Sequence, residues 1–331
     1  MEVMSKTTRK YPYEVDVAVL LIFFTRTEQT VRTFEQIRQA RPSRLYLYQD
    51  GPRAGRKDDV DNIKKCRNAI EDMIDWNCEI HKLYQEKNFG CDPSEYISQK
   101  WMFETEDKGI VIEDDDVMSV SFFRFCKEML DKYEHDERVN MICGMNHLGI
   151  YNDCPYDYFF SRTGAIWGWA SWRRVIDEWD RNYSAMNDEY TMRLLKENSR
   201  TKKEFNSFIN RCKAHYSTGR EHYESISSWC SKLSGRYNII PKKNMTCNIG
   251  IANESTHSVS DISRLPRSTR RMMYMDTYEM EFPIKHPIAM LEDKIYAKKY
   301  YRVFYGSKLS RILQLRRIET LLYRLLPILG K

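Results

Sequence analysis

The run Gly109-Ile110-Val111-Ile112-Glu113-Asp114-Asp115-Asp116 constrains this chain more than any other stretch, because three β-branched residues lead straight into four consecutive carboxyl groups. The apolar half has the composition of a short strand buried on both faces, and no interior accommodates four bare negative charges side by side. The acids must therefore emerge at the C-terminal end of that strand, the rim where open α/β sheets place their ligands. Hard carboxylate oxygens there suit Mg²⁺ or Mn²⁺, an ion able to bridge the phosphates of a nucleotide and stabilise a leaving diphosphate. Taken alone, the run also fits a solvated acidic turn leading into a helix N-terminus.

The flanking pattern alternates strand and helix as a parallel sheet requires. Val15 to Phe24 reads as a first strand. Thr27 can cap a helix carrying Val31, Phe34 and Ile37 at helical spacing, which Arg41-Pro42 ends. Leu45 to Tyr48 reads as a second strand, closed by the turn composition Gln49-Asp50-Gly51-Pro52. A helix around Asp59 to Ile74, a strand around Ile80 to Tyr84, a loop at Asn88-Phe89-Gly90-Cys91 and a helix to about Phe103 precede the acidic strand. Beyond it, Phe122-Phe123-Arg124-Phe125 opens a helix and Val139 to Cys143 makes another strand. From Tyr158 the pattern turns irregular and then helical, with Ile166 to Trp172 as a rigid aromatic element.

A chain of 331 residues holds one large α/β domain with additions, or two modest ones. Hydrophobic content of 42% excludes general disorder. The nine cysteines are odd in number, scattered and without a C-x-x-C pair, which points away from a disulfide framework or zinc site and toward a reducing cytoplasm. The polar, basic start reads as a tail (1–14) rather than a signal peptide, and no apolar stretch approaches the ~20 residues that span a bilayer. The net charge of +6 comes largely from the C-terminal segment, suggesting an anionic partner such as a membrane surface or phosphorylated lipid. There, on a helix from Leu315 to Leu326, Leu315, Ile318, Leu322, Leu325 and Leu326 share one face opposite Arg316, Arg317 and Arg324. Such a helix suits a peripheral position on the inner membrane face, or equally packing against the rest of the chain.

Thr25-Arg26 after the first strand, Gln49-Asp50-Gly51 after the second, Glu113-Asp114-Asp115 and a distal His257 stand in the order found in glycosyltransferases of the GT-A fold. The chain resembles eukaryotic N-acetylglucosaminyltransferase I and a related set of bacterial surface-polysaccharide transferases. With the bacterial group it shares Asn88 to Cys91, Phe122 to Cys126 and Trp167-Gly168-Trp169-Ala170-Ser171-Trp172-Arg173. It also shares the blocks Ile240 to Asn244, Asn248-Ile249-Gly250 and Ser255-Thr256-His257. The likeness spans roughly residues 15–260, and several spaced motifs in order are far more specific than one.

The resemblance implies a GT-A nucleotide-diphospho-sugar transferase fold, a mixed, mostly parallel sheet flanked by helices. It divides the chain into a catalytic domain at 15–263, with a nucleotide-binding half (15–118) and an acceptor half (119–263), and a basic helical extension at 264–331. Asp115 and His257 would hold Mn²⁺ or Mg²⁺. Thr25, Arg26, Asp50, Asn88, Glu113 and Asp114 would contact the nucleotide sugar. Without the resemblance, Arg26 reads as a surface ion pair and Asp50 as a turn former. Asp116 departs from the related sequences and is expected to face solvent. Trp167 and Trp169 are expected beside the substrate and Trp172 in the core. Inverting transfer needs a carboxylate to take the acceptor hydroxyl's proton. Glu224 is the candidate, although relatives carry Trp-Asp where this chain has Tyr223-Glu224, and Glu221 lies one helical turn away.

These readings converge on a cytoplasmic, metal-dependent hexosyl- or N-acetylhexosaminyltransferase. Its partners would be a nucleotide-sugar donor, a UDP-sugar above all, and a surface-glycan or lipid-linked acceptor, with no nucleic acid. A sugar nucleotidyltransferase is the alternative, but Phe24-Thr25-Arg26-Thr27 lacks the glycine-rich phosphate loop it would need. A non-enzymatic glycan-binding protein is a third, which retention of both metal and base candidates disfavours.

Overall fold

The computed structural model describes residues 11–250 and 270–305. Eight strands form one sheet in the order β3-β2-β1-β4-β8-β6-β9-β7. They are β1 (Val15–Phe23), β2 (Pro42–Gln49), β3 (Glu79–Tyr84), β4 (Lys108–Glu113), β6 (Val139–Cys143), β7 (Tyr158–Ser161), β8 (Trp169–Trp172) and β9 (Tyr237–Pro241). Neighbouring pairs are parallel except where β8 and β7 insert, so the sheet is mixed and mostly parallel. It is unbroken across the two halves drawn from the sequence, because β8 of the second half pairs with β4 of the first. A separate two-stranded piece pairs β5 (Asp116–Met118) with β10 (Thr246–Asn248).

Strand alternation sorts the apolar side chains into two layers. Val17, Val19, Leu21 and Phe23 of β1 join one core. With them pack Phe34 and Ile37 of α1 (Thr27–Ala40), Cys66 and Ile70 of α2 (Lys57–Asp72), and the phenylalanines of α4 (Ser121–Lys132). Ala18, Leu20 and Ile22 face the other core, with Met102 and Phe103 of α3 (Cys91–Thr105) and Phe208 of α7 (Lys202–Ser217). Tyr223 and Trp229 of α8 (Tyr223–Ser234) complete that layer. Each fully buried aliphatic or aromatic side chain contributes roughly 1.5–3 kcal/mol. Among the described residues there are also the short α5 (Arg173–Ile176), a 3-10 turn at Ser184–Asn187, α6 (Glu189–Asn198) and α9 (Lys294–Tyr305).

Two expectations change. The stretch from Tyr158, read as irregular and then helical, supplies strands β7 and β8; their runs of four residues are too short for periodicity to separate strand from helix. The chain beyond 264, read as appended, is part of the body wherever it is described. Glu279 accepts the Val120 and Ser121 N–H groups at the start of α4, a helix with no side-chain cap of its own, at 3.1 and 2.8 Å. Asp293 N–H donates to Phe160 O at 2.8 Å, and Ile284 and Tyr296 enter the two cores. His257 and the amphipathic segment 315–326 lie outside the described residues.

Candidate functional site

The chain runs outward from β1 through β2 to β3, then returns to place β4 on the other side of β1. The crevice beyond the C-terminal ends of β1 and β4 is therefore the topological switch point of the sheet. The register aligns Ile22 with Glu113, so the loop after β1 and the acids after β4 must meet. Arg26 leaves β1 to make a two-pronged hydrogen-bonded ion pair with Asp114, and its terminal nitrogen lies 2.8 Å from Asp115. Burial opposes the guanidinium charge, but Asp114 and Asp115 outweigh it and raise the Arg26 pKa. The ion-pair reading of Arg26 thus describes its geometry, with site acids as partners.

Asp115 and Asp116 are held from the opposite side by Asn248 of β10, whose amide donates to Asp115 Oδ1 at 2.8 Å and Asp116 Oδ1 at 3.1 Å. The Gly250 backbone presses on the same carboxylate: a Cβ there would sit 2.1 Å from Asp115 Oδ2. Asp116, expected in solvent, is fully buried. It opens β5 and turns inward against β10, where the Gly168 N–H also donates to it at 2.9 Å. Burial pushes its carboxyl well above the ordinary range, with Asp115 adding to the effect.

A cleft of about 530 Å³ opens beside these acids. Thr25, Arg26, Asp50, Asn88, Glu113 and Asp114 all line it, together with Tyr48, Ser94 and Glu95. Its lining carries the carboxyl groups of Asp50, Asp58, Asp59, Glu95, Glu113 and Asp114 and the guanidinium groups of Arg26, Arg53 and Arg56. A carboxylate such as that of Asp115 has the hard oxygen donors that suit a divalent ion. Among the described residues no three His, Cys, Asp or Glu side chains converge on one point.

Asp50 is committed elsewhere than to a base. Its carboxylate accepts the N–H groups of Gly51, Phe89 and Gly90 at 2.9, 2.9 and 3.0 Å, and the Asn88 amide at 2.7 Å. This fills the acceptor capacity of a carboxylate, so Asp50 pins the 88–90 loop against the end of β2 and Asn88 is tied into the same knot. Only the Gly51 bond is local, so Asp50 joins two loops where the sequence suggested a turn former.

Glu95 was not singled out by sequence reasoning. It sits buried on α3 and lines the cleft, its carboxyl receiving only the weak Cys91 Sγ donor at 3.3 Å among the hydrogen bonds of the described residues. Burial above all pushes its pKa up to about 8, with the charges of Asp92, Glu224 and Asp115 adding to the effect. The signal was a polar stripe on the inward face of a helix: Ser94, Glu95, Ser98 and Gln99 are all buried. Burial also lifts Glu113 well above the usual range, and Asp114 to about 6 against the pull of Arg26. Because the folded Glu95 binds its proton more tightly than the unfolded chain, its contribution to stability falls as pH rises from the ordinary glutamate range through about 8. Glu95→Gln is expected to melt about 2–8 °C above the parent at pH 8.5 in EDTA, with the gap closing near pH 5. Thermal scans at the two pH values check this; a gap that does not depend on pH would refute it.

Glu224 is exposed in the first turn of α8, which packs on α3, and its charge reaches Glu95 and Tyr223. Glu221 is paired with Arg181 at 2.6 Å. Trp167 is half-buried in the loop before β8. Trp169, expected beside the substrate, is 1% exposed and packs near-parallel to Tyr223, because alternation on a central strand turns it into one core and Trp172 into the other.

No protein-family model and no curated protein matches this sequence. Among solved structures the chain is similar to mannosyltransferase PcManGT from Pyrobaculum calidifontis, in complex with GDP-Man and Mn²⁺. The identity is 8% and the TM-score 0.34, over 57% of this chain and 56% of that one. It is also similar to a UDP-glucose pyrophosphorylase complexed with UDP-glucose (9%, TM-score 0.37, 70% and 92%). The glycosyltransferase GlyE of Streptococcus pneumoniae TIGR4 is a third (11%, TM-score 0.29, 69% and 55%). The chain spans just over half the length of the two transferases. Likenesses this distant carry no argument about activity.

Proposed function

We propose that this protein is a metal-dependent glycosyltransferase that moves a hexosyl or N-acetylhexosaminyl group from a nucleotide diphosphate, UDP foremost, to a hydroxyl of a surface-glycan or lipid-linked acceptor with inversion. One observation carries the reading: Arg26, Asp114 and Asp115 meet at the switch point between β1 and β4, on the rim of a cleft of about 530 Å³. Thr25 and the 88–90 loop fastened by Asp50 frame the nucleotide end, and Glu113 faces the ribose and donor sugar. Asp115 would hold Mn²⁺ or Mg²⁺, with His257 as a second protein ligand. The ion would neutralise charge developing on the leaving diphosphate.

Arg26 holds the Asp114 and Asp115 carboxylates in place by direct contact and can turn toward a phosphate oxygen once a divalent ion neutralises them. Glu224 receives the proton of the acceptor hydroxyl as its oxygen bonds to the anomeric carbon and the bond from that carbon to the diphosphate oxygen breaks. The exposed position of Glu224 suits a group that must meet a second substrate arriving from solvent. Peripheral attachment to the membrane would bring a lipid-linked acceptor to it.

Incubation of the purified protein with Mn²⁺ and a panel of nucleotide sugars tests the activity. Slow release of free nucleoside diphosphate from one donor, suppressed by EDTA, is the expected result. Release of a sugar 1-phosphate and nucleoside triphosphate in the presence of pyrophosphate would instead establish a nucleotidyltransferase.

A further inference from the structure

Ile288, Leu291 and Ile295 are 92%, 74% and 57% exposed, and they fall within eight consecutive residues. Apolar side chains scattered singly over a surface need no explanation; three large aliphatic ones this bare in one short stretch do. The stretch is anchored from behind. Tyr296 is fully buried against Phe159 and Tyr151, Ile284 is buried in the opposite core, and Asp293 accepts the Ile295 and Tyr296 N–H groups at 2.9 and 2.8 Å to start α9. The isoleucines and the leucine are thus displayed on a fixed support at the β7 edge of the sheet.

Their surroundings are cationic. Lys285, Lys294, Lys298 and Arg302 are exposed in and beside the stretch, Lys299 is paired with Asp153, and the acids are Glu292, the inward-bonded Asp293 and Asp157, which accepts the Lys285 N–H at 2.6 Å. On α9, Ile295, Lys298 and Arg302 follow one another at helical spacing on the face opposite Tyr296. Bare aliphatic side chains rimmed by lysine and arginine are what a helix lying in a bilayer interface presents: the apolar groups enter the acyl boundary while the cations meet phosphates. A protein partner of ordinary kind would meet a polar, mixed-charge rim instead. Among the described residues no helix is long and apolar enough to cross a membrane, so this surface would rest on the bilayer.

We infer that the surface formed by Ile288, Leu291, Ile295, Lys294 and Lys298 docks onto an anionic lipid bilayer. It does not depend on the proposed transferase activity. The test is co-sedimentation of the full-length protein with vesicles of phosphatidylcholine and phosphatidylglycerol (7:3), and of phosphatidylcholine alone, at moderate salt. The parent should bind the anionic vesicles. Lys294→Glu/Lys298→Glu should weaken binding by tenfold or more, since each cation near such a surface is worth about fivefold and each reversal counts further. Ile288→Ser/Leu291→Ser/Ile295→Ser, whose side chains are exposed and not needed for folding, should weaken it at least as much with an unchanged melting temperature. Ile288→Trp should show a blue-shifted emission on the anionic vesicles only. Undiminished binding by the serine variant would assign any attachment to the rest of the chain and overturn the inference. So would failure of the parent to bind, or a tryptophan emission that does not move. Absence of nucleotide-sugar turnover in a parent protein that binds the vesicles would count against the transferase reading and leave this one standing.

Discussion

Glu224→Gln is expected to lower sugar transfer by about 10²–10⁴-fold while leaving donor affinity within about threefold of the parent, the range for loss of a positioned general base. The amide keeps the size and shape of the side chain but cannot accept the acceptor's proton. Glu224 stands exposed on the first turn of α8, so the change removes no buried contact and folding should be unaffected. Transfer rates at saturating donor, set against calorimetric binding of the same donor, separate the two effects. Near-normal turnover would reassign the base. Glu221 is then a poor second choice because Arg181 engages it at 2.6 Å, whereas Glu95 lines the cleft with its carboxyl free of any cation among the described residues.

Asp115→Ala is expected to weaken nucleotide-sugar binding by about 10²-fold in Mn²⁺, a loss that EDTA reproduces with the parent and barely extends in the variant. Arg26 from the end of β1 and Asn248 from β10 both touch its carboxylate, and Gly250 leaves no room for a Cβ beside it. Among the described residues, truncation leaves Arg26 paired with Asp114. If the role of Asp115 were only to orient Arg26, the variant would lose affinity equally with and without Mn²⁺. Calorimetric titration of the donor under both conditions decides between metal ligation and positioning, and equal affinity of the parent with and without metal would remove the ion from the proposal.

Some of this was legible from residues alone. The strand and helix alternation of the first half and the position of the acids at a strand end follow from periodicity, although Asp114, Asp115 and Asp116 are buried there, where the cost of burying charge predicted exposure. Each depends on neighbours in the chain, and each is observed to within a few residues. The partners of those acids depend on neighbours in space. Asp116 looked like the most dispensable carboxyl of the run, yet the pairing of β5 with a strand some 130 positions away buries it. Asp50 looked like a ligand and is consumed by the backbone of the 88–90 loop. Trp169 looked like a sugar platform, but β8 enters the centre of the sheet antiparallel between β4 and β6, and both of its faces are covered.

The sequence by itself determined the local elements and which residue types could carry the chemistry, because φ/ψ preference, apolar period and charge are properties of short segments. Only the tertiary structure decided which carboxyls face the cleft, which are locked by backbone donors, and that Glu95 stands among them. Desolvation and hydrogen bonding are set by atoms brought together from β1, β4, α3, α8 and β10, and no local pattern encodes those distances.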